Sequence, residues 1–127
     1  LQQSDFVVVC CPLTPQTKGI IGATEFRMMK ETAFFINIAR GEIVDQLALI
    51  TALQTKEISG AGLDVTEPEP LPENNPLWEM ENVIITPHHA GQSPKSASRI
   101  FHVLCENLKR FVTNQPLISV VDKTQWF

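Results

Sequence analysis

Nothing in this 127-residue chain approaches the length of an apolar run that spans a bilayer. A basic excess is missing as well. Ten Lys and Arg stand against fourteen Asp and Glu, for a net charge of −4, and the charges are not gathered into blocks. That leaves no electrostatic footprint for nucleic acid. Cysteine is scarce. Of three, two are adjacent (Cys10, Cys11), which argues against a disulfide framework. None has a partner at metal-ligand spacing, so no metal site is expected. This usage predicts a reducing, cytosolic compartment, with Cys10 ending a buried strand as a small apolar residue. Repeats, low-complexity tracts and linkers are absent. So are an initiating methionine and a signal-peptide pattern at Leu1-Gln2-Gln3-Ser4-Asp5, and the chain is expected to begin inside a longer reading frame. Its length suffices for one domain with its own core.

What is present alternates between two periods. Asp5–Cys10 is a continuous β-branched and aromatic run, which predicts a strand buried on both faces of a parallel sheet and ended by Pro12. Thr24–Lys30 predicts a short helix facing inward through Phe26 and Met29. Ala33–Ile38 is the second strand. Asp45 caps the next helix, whose Leu49, Ile50 and Leu53 recur at helical spacing as far as about Lys56. Ser59–Val65 is the third strand, and its glycines predict close packing against the backbone. Glu67–Pro76 holds four of the nine prolines, so it is a long stiffened loop. Asn82–Thr86 is the fourth strand, stopped by Pro87. Ser93-Pro94 opens a last helix, with a hydroxyl cap and then proline in the first turn. Ala97, Phe101, Leu104, Leu108 and Phe111 form its apolar stripe, with Ile100 and Val112 beside it. Asn114 and Pro116 stop this helix. The tail Leu117–Phe127 is expected to dock through its apolar residues. The pattern is α/β with crossover connections. It reads as the second half of a doubly wound parallel sheet that leaves at least one edge bare.

In such sheets ligands bind beyond the carboxyl ends of the strands. Those ends carry Thr14 and Thr17, then Arg40, then Asp64, then Glu67 or Glu69 in the proline loop, then His88. Arg40 taken alone reads as a surface arginine, and Asp64 alone as a loop cap. Together, arginine, carboxylate and histidine suit reduction of a carbonyl that is flanked by a carboxylate. The histidine gives a proton near neutral pH, a carboxylate fixes its tautomer, and the arginine anchors the acid. No side chain supplies a hydride, so a cofactor must. His89 is expected to face a packed surface, His102 to be structural or exposed, and Asp45 to be a helix cap.

Four blocks then stand in order: Asn37-Ile38-Ala39-Arg40-Gly41, Gly62 to Pro72, Asn75-Pro76-Leu77-Trp78 and Thr86-Pro87-His88-His89-Ala90-Gly91. Together they resemble the D-isomer-specific 2-hydroxyacid dehydrogenases, with the glyoxylate/hydroxypyruvate reductases as the most similar branch. Ser4-Asp5-Phe6 and Pro12 to Thr17 fit as well, and the likeness runs from about Leu1 to Asp122. The resemblance implies a Rossmann-like fold and NAD or NADP as cofactor. It implies that Arg40 binds and activates the substrate, that His88 donates and accepts the proton, and that Glu69 rather than Glu67 pairs with His88. Asp64 matches the aspartate that holds the nicotinamide carboxamide. Ile38 and Ala39 fall where backbone meets the nicotinamide. Pro12 and Thr17 line one side of the cofactor cleft, and His88, Ala90 and Gly91 the other. The glycine fingerprint that cradles the pyrophosphate is not in this sequence; Gly60-Ala61-Gly62 precedes a strand end, not a helix start.

The resemblance divides the chain in two. Residues 1–92 are expected to be the C-terminal half of a dinucleotide-binding domain. Residues 93–127 are expected to be a helix and tail that pack on a separate substrate domain. Val120-Val121-Asp122-Lys123 is similar to a family ending, although Trp126 stands where glycine is expected, so the carboxyl end reads as complete and the amino end as truncated. The function expected is hydride transfer between NAD(P)H and a small 2-oxo or 2-hydroxy acid, in a homodimer. The chain by itself, lacking the pyrophosphate cradle, is expected to be nearly inactive. The rival is a non-catalytic binding or dimerisation module similar to corepressors that share the fold. Joint retention of Arg40, Glu69 and His88 argues against that rival.

Overall fold

The computed structural model describes residues 1–124; expectations placed on residues 125–127, Trp126 among them, lie outside these. Four short strands carry the architecture: β1 (Phe6–Val9), β2 (Phe34–Asn37), β3 (Gly60–Leu63) and β4 (Val83–Ile85). They pair in chain order and every pairing is parallel. All four carboxyl ends therefore lie along one rim. Helix α1 (Ala23–Arg27) joins β1 to β2, and α2 (Gln46–Gln54) joins β2 to β3. Between β3 and β4 runs the proline loop, which ends in a single 3-10 turn, Pro76–Glu79. Proline in that turn's first position and Asn75, whose side chain accepts from the Leu77 N–H, start it.

Sequential strands joined by crossovers of one hand send their helices to the same face. The burial follows. Val9, Phe35, Asn37, Ala61 and Leu63 lie buried on the face that packs with Phe26, Leu49, Ala52 and Leu53. Phe26 and Phe35 meet edge to face at 5.2 Å, a preferred aromatic geometry. The register aligns Phe6 with Phe34 and Gly60, and Val8 with Ile36, Gly62 and Ile84. This second face is exposed at Phe6 (63%), Phe34 and Ile84 (70%). Burial on both faces of β1 is therefore corrected: one face of the strand is covered and the other is not. Cys10 is corrected for the same reason, since it is exposed beyond the strand end.

Asp45 caps α2 as expected, accepting from the Leu47 and Ala48 N–H groups at 3.0 and 3.1 Å. Gly60 bears out the expectation of close packing, because a Cβ there would stand 2.6 Å from the Asn82 carbonyl oxygen. Gly62 does not: only Ile36 lies near, at 3.8 Å.

The chain divides into two units, Leu1–Ala90 and the residues from Gly91 onward. The second holds one long helix, α3 (Ser96–Val112). Its start differs from the expectation. Ser93 and Ser96 share a hydroxyl hydrogen bond, the Ser93 N–H donates to Ser96 Oγ, and the helix begins at Ser96, with Lys95 before it. The stripe Phe101, Leu104, Leu108 and Phe111 lies on α3 as its spacing dictates, and each of these side chains is exposed. The segment after α3 is tied to it by polar groups. Asn107 brackets Ile118 with both ends of its amide, at 2.8 and 3.0 Å, and Arg110 donates to the Pro116 carbonyl. Among the described residues no helix is long and apolar enough to cross a membrane.

Candidate active site

Asn37 is the last residue of β2 and points into the covered face, 1% exposed. Its Oδ1 accepts the Ala39 N–H at 3.0 Å and its Nδ2 donates to the Arg40 carbonyl at 2.9 Å. This folds Ile38-Ala39-Arg40 into a tight turn at the sheet rim. Ile38 is exposed there, and Ala39 is buried. The Arg40 side chain is exposed; its Nη1 donates to the Ala39 carbonyl at 2.7 Å. Among the described residues no carboxylate forms an ion pair with it. The next residue, Gly41, is backed directly against the loop that follows β3. A Cβ on it would overlap the Thr66 carbonyl group and stand 2.7 Å from the Glu67 nitrogen.

One strand over, Asp64 does the corresponding work for the loop after β4. Its backbone N–H donates to the Asn37 carbonyl at 2.9 Å, so the two polar residues are neighbours across the sheet. Asp64 is 4% exposed. Its Oδ1 accepts from the Thr86 hydroxyl and the His89 N–H, and its Oδ2 from the Ala90 N–H at 2.7 Å. Burial pushes this carboxyl up. The bonds from Thr86, Ala90 and His89, with the nearby His88, outweigh burial and hold it below the ordinary value of 3.8. Between its anchored neighbours His88 adopts φ +55°, a left-handed conformation uncommon outside glycine. Its N–H donates to the Asp64 carbonyl at 3.0 Å.

That backbone aims the imidazole at the proline loop. His88 Nδ1 lies 2.8 Å from Glu69 Oε1, both side chains being somewhat under half exposed. Of the two candidate carboxylates, Glu69 is the one that reaches His88. Glu67 meets α2 through its backbone, whose N–H donates to the Gln46 side chain. The loop has its own anchors. Leu71 and Leu77 are buried, Thr66 Oγ1 donates to the Pro68 carbonyl, and Trp78 Nε1 donates to the Pro72 carbonyl. The Glu67–Pro68 and Glu69–Pro70 bonds are cis. Glu69, Leu71, Trp78, Ile85 and His88 line a cavity of about 240 Å³ on this side.

On the other side of Asp64 lies a groove of about 370 Å³, walled by Ile36, Ile38, Ile84, Thr86, His89 and Ala90. His89 is thus exposed and lines a groove, which corrects the packed surface expected for it. His102 is exposed on α3. At the end of β1 the Thr17 hydroxyl donates to the Pro12 carbonyl at 2.8 Å and accepts the Thr14 N–H at 2.7 Å. This pair folds the Pro12–Thr17 loop. Gly91 opens the second unit. Among the described residues no group of three or more His, Cys, Asp and Glu could hold a metal ion.

The structure thus joins Glu69 to His88 and Asp64 to the His88–Ala90 turn, while Arg40 contacts neither pair by hydrogen bond. Two contributors escaped the sequence reading, Asn37 and Thr86. Each is a polar residue at the end of an apolar strand, a signal that was there to read.

Residues 1–90 match the D-isomer specific 2-hydroxyacid dehydrogenase NAD binding domain. The glyoxylate reductase/hydroxypyruvate reductase of Homo sapiens is 44% identical over 117 residues, 92% of this chain and 36% of that protein. Among solved structures, an NADPH-dependent glyoxylate/hydroxypyruvate reductase from Sinorhizobium meliloti, in complex with NADP and sulfate, superimposes with a TM-score of 0.89. It is 35% identical and is matched over all of this chain and 41% of its own. A D-isomer specific 2-hydroxyacid dehydrogenase from Lactobacillus delbrueckii, in its NAD complexed form, gives 0.86 at 36% identity, over 95% of this chain and 41% of its own. The chain spans about a third of the length of the curated relatives it matches.

Proposed function

We propose that this chain, which belongs to the D-isomer specific 2-hydroxyacid dehydrogenase family through its NAD-binding domain, carries the proton-transfer pair and acid anchor of a 2-oxo acid reductase. The substrate class is a small 2-oxo acid of the glyoxylate or hydroxypyruvate type. The observation that carries this reading is the Glu69–His88 pair, 2.8 Å apart at the rim of a parallel sheet.

Glu69 engages Nδ1, so Nε2 is the atom of His88 that gives its proton to the carbonyl oxygen as it becomes an alcohol. The carboxylate fixes that tautomer and holds the ring in place. Arg40, unpaired with any carboxylate among the described residues, offers a planar fork to the substrate's carboxylate. NADH or NADPH, when bound, supplies the hydride to the carbonyl carbon. The residues present fit the nicotinamide end of that cofactor. The groove between Ile38, Ile84 and Ala90 is apolar, as a flat ring requires. Asp64 Oδ2 takes one internal bond, which leaves it acceptor capacity for a carboxamide N–H. Ile38, Ala39, Pro12, Thr17 and Ala90 complete the proposed cofactor wall, and Gly91 is proposed for it only as the next residue in the sequence.

Residues 1–92 then serve as the C-terminal half of the cofactor domain, and 93–127 as a helix and tail for a substrate domain, with pairing into a homodimer. Three free cysteines support a cytosolic setting. The test uses the natural protein that carries this chain, assayed with glyoxylate and hydroxypyruvate by loss of reduced nicotinamide. His88→Asn is expected to lower kcat by roughly 10²–10⁴-fold. Undiminished turnover in that variant refutes the assignment.

A further inference from the structure

We infer that Asn37 is a positioning residue for Arg40, and so part of what fixes the acid-binding geometry of the site. The inference rests on the proposed role of Arg40. Asn37 is nearly inaccessible and lies at the last position of β2, where the two neighbouring strands hold its backbone in register. From that fixed base its amide meets the turn twice, at the Ala39 N–H and at the Arg40 carbonyl. One contact requires an acceptor and the other a donor, so the amide has only one workable orientation. Aspartate of the same shape supplies the acceptor and no donor; leucine supplies neither. Glutamine, longer by one methylene, would carry the amide away from both contacts. The residue type is thus dictated by the turn it folds.

An independent contact closes the turn from its far side. Gly41 is pressed against the Thr66 carbonyl and the Glu67 nitrogen with no space for a side chain. Thr66 lies three residues before Glu69. The backbone bearing Arg40 is therefore held between Asn37 and the root of the loop bearing Glu69. With the backbone fixed, the exposed guanidinium has only its own torsions left. Asn37 is buried beneath the turn, lines neither the cavity beside His88 nor the groove beside Ile38, and acts through the turn it folds.

A double-mutant cycle in the natural protein that carries this chain tests this. Asn37→Ala is expected to lower kcat/KM for glyoxylate by roughly tenfold to a hundredfold, the scale of a misplaced anchoring group. The pH profile of kcat stays as it was. In the background of Arg40→Ala, removing Asn37 is expected to have less than about a twofold further effect, since nothing is left to position. Asn37→Asp, which keeps the shape and the Ala39 bond, supplies the same cycle if the alanine variant does not fold. An equal loss with and without Arg40 overturns the inference. The two readings fail separately. Turnover indifferent to Arg40 refutes the role of Arg40 itself; a full Arg40 effect with an additive Asn37 effect refutes the positioning only.

Discussion

Replacing Asp64 with asparagine keeps the shape of the side chain and removes its charge. In the parent, Oδ1 accepts from the Thr86 hydroxyl and the His89 N–H, and Oδ2 from the Ala90 N–H. An asparagine oxygen can keep the first two, now as neutral bonds. Its NH₂ then faces the Ala90 N–H, donor against donor. Leaving that N–H unsatisfied costs about 1–3 kcal/mol, and turning two charge-assisted bonds into neutral ones removes about 1 kcal/mol more, so the variant should lose ~2–4 kcal/mol. The pH dependence has a definite sign. The Asp64 carboxyl is held below its ordinary value of 3.8 in the folded chain. Its contribution is complete above that value and fades as pH falls through the lowered one. Asparagine has no such dependence. Urea unfolding of parent and variant at neutral pH should therefore show the full gap, and the gap should narrow below the ordinary carboxylate range. A gap under about 1 kcal/mol at neutral pH, or one that is the same in acid, refutes this account of Asp64.

Glu69→Gln should lower kcat of the natural protein by about 10²-fold or more, because a histidine deprived of its orienting carboxylate presents the wrong tautomer; steady-state kinetics with glyoxylate checks this. Gly60→Ala should destabilise the sheet by about 1–3 kcal/mol, because its Cβ meets the Asn82 carbonyl oxygen at 2.6 Å and the Phe34 ring at 3.1 Å; chemical denaturation measures it. The 127-residue chain alone should show no measurable oxidation of NADH or NADPH with glyoxylate, since its sequence holds no pyrophosphate cradle.

The order and type of the elements were legible because each apolar run is short, ends on proline, arginine or aspartate, and alternates with helical spacing. Asp45 was legible as a cap for the same local reason, and the Glu69–His88 pair through the motifs around it. What escaped depends on groups far apart in sequence. Whether β1 is covered on its second face is decided by what packs there, and an apolar run reads the same in both cases. The start of α3 at Ser96 was settled by a serine–serine bond that competes with Ser93 as a simple cap. The role of Asn37 is a three-residue contact hidden by the apolar run that precedes it.

Asn37 and Asp64 sit side by side, each closing its strand and each folding a reactive loop with its own side chain. The instructions for a loop's shape are thus stored in the sheet, one residue before the loop begins. Ile38 and His89, which wall the groove, can then vary while the scaffold beneath stays unaltered. Changing Asn37 or Asp64 would instead rewrite a whole loop at once. The lining of the groove in such a fold is free to drift by small steps, whereas the shape of both loops is anchored to two buried polar side chains.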